Sequence, residues 1–193
     1  MTAIARQPRA PALKSWAMAA GLAAAVGLRW AATKSGSDGL AIGTWFGLGL
    51  LGLVLVSGWR PARERASSIP IGLLGGAVLV GLAVATHSGA QPSLAPPVAF
   101  APWALITVLV ASAEELAVRG ALFHALARSV DVLPAALLTS IVFALMHVPL
   151  YGWHVVPLDL GVGLWLVGLR LWTGGILAPA IAHVAADLAT WWL

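Results

Sequence analysis

The sequence predicts an all-α fold, a polytopic transmembrane bundle of about seven helices. Of its 193 residues, 60% are hydrophobic and only 9% are charged, whereas a soluble domain carries about 25% charged residues. Several apolar runs reach the roughly 20 residues that an α-helix needs to cross a bilayer. One soluble core of this size could not bury so much apolar surface. We therefore expect a single membrane-embedded domain over residues 1–193.

The first three predicted helices cover residues 14–33, 39–58 and 69–87. The first has the layout of a secretory signal peptide, but its apolar run is long and Arg29 follows, which is a poor context for cleavage. We therefore predict an uncleaved first transmembrane helix. A Gly- and Ser-rich turn ends at Gly39 before the second helix, and an arginine-rich loop precedes the third.

Proline and glycine separate the last four predicted helices. These helices cover residues 100–127, 134–150, 157–173 and 175–193, and the breaks contain Pro92, Pro96, Pro97, Pro134, Pro149, Pro157, Gly174 and Gly175. No internal repeat is evident. The motifs described below all lie in this part of the chain, so we expect a motif-bearing core at about 100–193.

Lysine and arginine in the short loops predict the orientation in the membrane, because cytoplasmic loops carry an excess of these residues. Most of them lie before the first helix, between the second and third, or near the same predicted membrane face: Arg6, Arg9, Lys14, Arg60, Arg63, Arg65, Arg128 and Arg170. The N-terminus is therefore predicted in the cytoplasm and, with seven spans, the C-terminus outside. This distribution also explains the net charge of +4 without a nucleic-acid partner.

The ten tryptophans are numerous for this length. Eight of them fall near predicted helix ends: Trp30, Trp45, Trp59, Trp103, Trp153, Trp172, Trp191 and Trp192. Indole rings prefer the headgroup region, so an aromatic belt accounts for these residues without a ligand site.

Few polar side chains interrupt the predicted helices, and an ionised group near the bilayer centre costs at least about 2.5–3.5 kcal/mol. They are Glu114, Glu115, Arg119, His124, His147, His183 and Asp187. Glu115 and Arg119 lie one helical turn apart and are expected to pair, and His183 and Asp187 share a face in the same way. Glu114 points about 100° away from Glu115, where it can face a cavity. His124 lies near a helix end and is expected at the interface.

One buried carboxylate with two imidazoles favours activation of water by a general base. The chain has no cysteine, which excludes thiol catalysis and thiolate metal sites. Ser112 as a nucleophile would need His147 or His183 to reach it. A zinc site of two histidines and a carboxylate is the alternative, but the spacing His-Glu-x-x-His is absent. We therefore expect no cofactor.

Three motifs, in order on separate predicted helices, resemble a known family. Glu114-Glu115-x-x-x-Arg119, followed by Gly120, then Phe143-x-x-x-His147 and His183-x-x-x-Asp187, resemble the motifs of the CAAX prenyl protease and bacteriocin-processing (CPBP, or Abi) family of intramembrane proteases. The resemblance implies a helical bundle around a cavity and hydrolysis of a peptide bond at or near the membrane. It covers about 100–193 only.

The resemblance also implies roles for these residues. Glu114 would activate the water with help from His147, and His183 with position 187 would stabilise the oxyanion. Glu115 and Arg119 would be supporting groups. Position 187 is Asp, where prenyl proteases typically have Asn, and an ionised Asp only accepts hydrogen bonds. Asp187 would therefore have to be protonated, to orient His183 instead, or to bind a metal. We favour the second of these roles, because a carboxylate on one imidazole nitrogen fixes the tautomer of the ring.

Simple depth counting at 1.5 Å per residue conflicts with this arrangement, because it separates Glu114 from His147 by about 10–15 Å. We follow the motifs and expect the two side chains to share one cavity. The expected partners are a peptide or protein substrate, delivered through the membrane or at its C-terminus, and the lipid bilayer. Nucleic acid is not expected.

Two other functions fit the same residues. One is a catalytically silent immunity or binding protein on this scaffold. The other is a transporter that uses the buried acids and histidines, although the inverted repeats that transporters show are not evident.

Overall fold

Seven helices and no strand form the part of the chain that the computed structural model describes, residues 12–86 and 99–193. They are α1 (Ala12–Lys34), α2 (Gly39–Ser57), α3 (Ser68–Thr86), α4 (Phe100–Val130), α5 (Val132–Tyr151), α6 (Val156–Thr173) and α7 (Leu177–Ala189). The prediction of an all-α bundle is confirmed. The predicted topology signals Arg6 and Arg9, and the predicted breaks Pro92, Pro96 and Pro97, lie outside the described residues.

Five helices in these two ranges, α2 to α6, are long and apolar enough to cross a membrane. The predicted final span, 175–193, is shorter than expected. Its helix α7 has 13 residues, about 20 Å in length, which is less than the roughly 30 Å of a bilayer core. It ends where Trp191 turns back onto Phe100 and Trp103 at the start of α4. Two charged residues, Arg29 and Lys34, lie in the C-terminal part of α1.

Local backbone chemistry sets the helix boundaries. The Asp38 carboxylate accepts a hydrogen bond of 3.1 Å from the Leu40 amide and caps α2. Gly58 at φ 72° ends α2, and Gly174 at φ 78° ends α6, because both positions need the left-handed backbone that glycine adopts without strain. Asp131 at φ 75° separates α4 from α5.

Helix α4 contains a π-helical segment, Leu116–Leu122, between the α-helical segments Phe100–Glu115 and Phe123–Val130. Such segments are rare and frequently occur at functional sites. This one begins immediately after the two adjacent glutamates and contains Arg119, and the helix continues three residues beyond the predicted end at 127. The irregularity therefore coincides with the most charged part of the protein interior.

Small residues allow α3 and α7 to pack closely. A Cβ atom added at Gly72 would lie 2.8 Å from the carbonyl oxygen of Ala178, and one added at Gly76 would lie 2.8 Å from the Cβ of Ala185. Spacing of small residues by four positions is the usual means of bringing membrane helices together. Helix α3 carries none of the three motifs, but it holds α7, which carries His183.

The tryptophans follow the predicted belt only in part. Trp45, Trp153, Trp172 and Trp192 are between 70% and 75% exposed on the bundle surface, as expected of rings that face lipid. Trp59 differs, because its ring packs into the space left by Gly120, where an added Cβ would lie 2.6 Å from the indole. A large ring on the loop before α3 thus covers the π-helical part of α4.

Candidate active site

One residue of each of the three motifs lines a cavity of about 680 Å³ at one end of the bundle. Glu114 from α4, His147 from α5 and Asp187 from α7 line it. The cavity opens between the start of α2 and the ends of α5 and α7. Glu114 and His147 share it in spite of the separation that depth counting gives. The convergence on which a hydrolase depends is therefore present.

Glu115 and Arg119 form a fully buried ion pair beneath this cavity. The Nη1 atom of Arg119 donates to Oε1 of Glu115 at 2.8 Å, and both side chains are 0% exposed. The guanidinium also lies 4.0 Å above the ring of Phe143, and its Nη2 is 3.5 Å from the carbonyl oxygen of Gly163. Arg119 thereby joins α4, α5 and α6. Removal of either partner of such a buried pair destabilises the protein, because the remaining charge is left unpaired.

His183 lies between three carboxylates. Its Nδ1 donates to Oε1 of Glu115 at 3.0 Å, while its Nε2 is 3.5 Å from Asp187 and 3.9 Å from Glu114. The hydrogen bond that orients His183 therefore comes from Glu115, whereas the sequence analysis assigned this role to Asp187. The reason is position, because Glu115 is buried beside the ring and the Asp187 side chain is 41% exposed toward the cavity. With acceptors on both sides, both ring nitrogens can donate.

His147 is oriented by its own helix. Its Nδ1 lies 2.9 Å from the carbonyl oxygen of Phe143, one turn earlier, and 3.6 Å from the carboxylate of Asp159 on α6. A carbonyl only accepts, so Nδ1 carries the proton, and Nε2 keeps its lone pair. The Phe143 ring contacts His147 and His183 edge-on, with centroids 4.8 Å and 5.3 Å apart. Phe143 is thus the spacer between the two imidazoles.

Glu114 differs from its neighbour in its bonding. Its side chain is 2% exposed, and its Oε1 accepts no hydrogen bond from the residues that the structure describes. The nearest charge is the guanidinium of Arg29 on α1, with Nη1 3.5 Å from Oε1. One oxygen of a buried carboxylate at the cavity is therefore left for another donor.

Arg29 and Asp159 are the two charged residues of the cavity that the sequence analysis did not include among candidate site residues. Arg29 was interpreted only as a charge that follows an apolar run, and no role was predicted for Asp159. Both residues could have been identified from the sequence, because they lie inside predicted spans, where ionisable residues are functional by default. His124 lies at the opposite end, beside a smaller cavity of about 200 Å³ that Arg170 also lines.

A zinc site would need at least three suitable ligands. Within residues 12–86 and 99–193, no group of three or more histidine, aspartate or glutamate side chains is arranged to hold a metal ion. In the described geometry the imidazole Nδ1 atoms already contact Glu115 and the Phe143 carbonyl.

The comparison with protein families agrees with the motifs. Residues 96–189 match the family described as type II CAAX prenyl endopeptidase Rce1-like, and Glu114, His147, His183 and Asp187 all lie within the match. No curated protein and no solved structure matches the chain. The protein is thus an integral membrane protein whose residues 96–189 are similar to the Rce1-like family of type II CAAX prenyl endopeptidases.

Proposed function

We propose that the protein is an intramembrane endopeptidase that hydrolyses a peptide bond through a water molecule activated by Glu114. The observation that carries the proposal is the unbonded Oε1 of this buried carboxylate at the cavity that His147 also lines. A general base must hold the water by a hydrogen bond of about 2.6–3.2 Å. Glu114 lines the cavity and has an oxygen free for this bond. Glu115 does not line the cavity, and its Oε1 is bonded to Arg119 and His183.

In the proposed reaction, Glu114 takes a proton from water while the water oxygen attacks the scissile carbonyl carbon. His147, with its Nε2 lone pair directed away from its own backbone, accepts a hydrogen bond from the second hydrogen of the water and fixes its direction of attack. The Glu114 carboxyl then returns the proton to the leaving amine as the C–N bond breaks. The products are a carboxylic acid and an amine.

Supporting residues hold this arrangement in place. Glu115 fixes the ring of His183 by the hydrogen bond of 3.0 Å, and Arg119 holds Glu115 from below. Asp187, at 3.5 Å from His183 Nε2, stabilises the positive charge of the ring. We propose that His183 faces the reacting carbonyl through this same nitrogen.

The volume and the apolar wall of the cavity fit a peptide segment that reaches it from the membrane. Its volume of about 680 Å³ lies within the range of about 300–1,000 Å³ that small ligands occupy, which is enough for a few residues of an extended peptide. Apolar side chains of α2, α4 and α6, including Leu40, Ile106 and Leu158, line its wall. We propose a substrate that is membrane-associated or carries the cleaved bond near a membrane-embedded C-terminus.

The test is a comparison of membrane-protein termini in cells that carry the wild-type protein or the Glu114→Gln variant. We expect new peptide termini that depend on Glu114, while both proteins accumulate to the same level in the membrane. The same termini in both cells would contradict the proposal. A phenotype that survives replacement of Glu114, His147 and His183 by alanine would instead favour a silent binding protein, and ion flux in proteoliposomes without cleavage would favour a transporter.

Cleavage of an identified substrate by purified protein then tests for a metal. We expect the same rate before and after dialysis against a chelator. A loss of activity that Zn²⁺ restores would replace the glutamate mechanism by a zinc mechanism.

A further inference from the structure

Arg29 brings a permanent positive charge to the cavity. It lies on α1, outside the matched region 96–189, and its side chain is 20% exposed. Among the described residues that line the cavity, Arg29 is the one lysine or arginine, whereas Asp38, Glu114, Asp159 and Asp187 contribute carboxylates. The position of this guanidinium, beside Glu114 and among other carboxylates, points to a specific role for Arg29.

Its contacts with residues in the described ranges hold the guanidinium and leave its hydrogen-bond donors unused. It lies 4.5 Å above the ring of Phe46 on α2, and this cation–π contact fixes its plane. Its Nη1 is 3.5 Å from Oε1 of Glu114, which is longer than a charge-assisted hydrogen bond of about 2.7–2.9 Å. The guanidinium can therefore donate to a group that binds in the cavity beside Arg29 and Glu114.

The reaction needs such a donor. Attack of water on a carbonyl puts negative charge on its oxygen, and buried donors directed at that oxygen supply a large part of catalysis. Ionised Asp187 cannot donate, and His183 can offer only the N–H of Nε2, because its Nδ1 already donates to Glu115. Arg29 can supply a further donor beside this single N–H.

The position of Arg29 beside Glu114 favours contact of its guanidinium with the reacting carbonyl. The alternative is contact with a more remote anion, such as the terminal carboxylate of the substrate. A water held by Glu114 and the carbon that it attacks are about 3–3.5 Å apart at the start of the reaction, so the oxyanion forms within a few ångströms of this carboxylate. Each extended residue adds about 3.3–3.6 Å. The terminal carboxylate of a segment several residues long would therefore lie beyond Arg29.

We propose that Arg29 is a catalytic residue that donates hydrogen bonds to the scissile carbonyl oxygen and stabilises the oxyanion, an inference that rests on the proposed function. As the water oxygen bonds to the carbonyl carbon, the C=O electron pair moves to the oxygen facing Arg29, and the water proton moves to Glu114. When the C–N bond breaks, that electron pair restores the C=O bond. The proton on Glu114 then passes to the amine.

The experiment measures cleavage of one identified substrate by protein in lipid nanodiscs. Arg29→Gln removes the charge and most donors, and we expect kcat to fall about 10²–10³-fold, with little change in KM. Arg29→Lys keeps the charge and should give a kcat between those of wild type and Arg29→Gln. The matched control is Lys34→Gln, an exposed cation on the same helix that does not line the cavity, and it should keep wild-type rates.

The outcomes separate this inference from the function on which it rests. A wild-type kcat in folded Arg29→Gln, or a rise in KM alone, overturns the role of Arg29 and leaves the Glu114-dependent protease intact. Cleavage that is equal in wild type and Glu114→Gln overturns the proposed function, and the Arg29 role with it. If Arg29→Gln does not fold, Arg29→Lys decides: a lower kcat at unchanged KM supports the inference, and a wild-type kcat overturns it.

Discussion

Glu115 on α4 accepts a hydrogen bond of 3.0 Å from Nδ1 of His183 on α7, with the same oxygen that pairs with Arg119. The two adjacent glutamates therefore have different roles. Glu115 accepts hydrogen bonds from Arg119 and His183, while Glu114 lines the cavity and its Oε1 accepts no hydrogen bond from the described residues. One residue of sequence separates a structural carboxylate from a candidate base, because successive helical positions point about 100° apart.

This difference predicts that the same substitution at the two glutamates affects stability differently, although it lowers cleavage in both. Glu115→Gln leaves the buried Arg119 charge without a partner, which typically costs about 3–5 kcal/mol, so both thermal stability and cleavage should fall. Glu114→Gln should reduce kcat by about 10²–10⁴-fold and change the midpoint of thermal unfolding in detergent only slightly. Equal loss of stability in both variants would mean that Glu114 is part of the buried structural network.

Asp159 should assist His147. Its carboxylate lies 3.6 Å from Nδ1 of this ring, so it can help to hold the tautomer in which Nε2 accepts a hydrogen bond from the water. Asp159→Asn keeps the shape and removes the charge, and we expect kcat to fall about tenfold with KM unchanged, as is typical when a carboxylate behind a functional histidine is lost.

The matched control for this substitution is Asp38→Asn. Asp38 lines the same cavity, and its side chain caps α2 through the Leu40 amide. Asparagine is an equally good cap. Equal effects of the two substitutions on kcat would indicate that the charge of the cavity matters and that the position of Asp159 does not.

Much of this arrangement could be predicted from the sequence, because its main signals are local. Long apolar runs predict the helices. Residues one turn apart share a face, so the pairing of Glu115 with Arg119 and the nearness of His183 to Asp187 follow from spacing alone. The three motifs also predicted which residues meet, and all of them are at or directly beneath one cavity.

The contacts between distant parts of the chain could not be predicted in this way. Spacing within a helix says nothing about which carboxylate of another helix reaches His183, so Asp187 was assigned in place of Glu115. The approach of Arg29 to Glu114 depends on how α1 packs against α4, and the sequence contains no periodic signal for it. The length of α7 depends on tertiary packing as well, since Trp191 turns back onto Trp103.

The close contact of α3 with α7 should be necessary for the site. An added Cβ at Gly72 would meet backbone atoms of Ala178 at 2.8 and 3.0 Å, and backbone cannot move aside as a flexible side chain does. We expect Gly72→Ala to lower the thermal unfolding midpoint and the cleavage rate together, because α7 carries His183. Gly81→Ala, on the same helix with nothing within 4 Å of the added Cβ, should change neither, and equal behaviour of the two variants would count against the packing.

The side of the membrane on which the cavity opens follows from the arginines of the α2–α3 loop. This loop, with Arg60, Arg63 and Arg65, lies at the end of the bundle opposite the cavity. Positively charged loops remain in the cytoplasm, so we expect the cavity to face the non-cytoplasmic side.

Because the chain has no cysteine, single cysteines can test this orientation without background. Ser37→Cys lies in the exposed turn at the cavity end, and Ser67→Cys lies in the exposed loop at the other end. We expect a membrane-impermeant maleimide to label Ser37→Cys in intact cells and Ser67→Cys only after permeabilisation. The reverse pattern would place the cavity in the cytoplasm. Since the cleaved bond must reach Glu114 through the open end, this labelling also determines on which side of the membrane a substrate is cut.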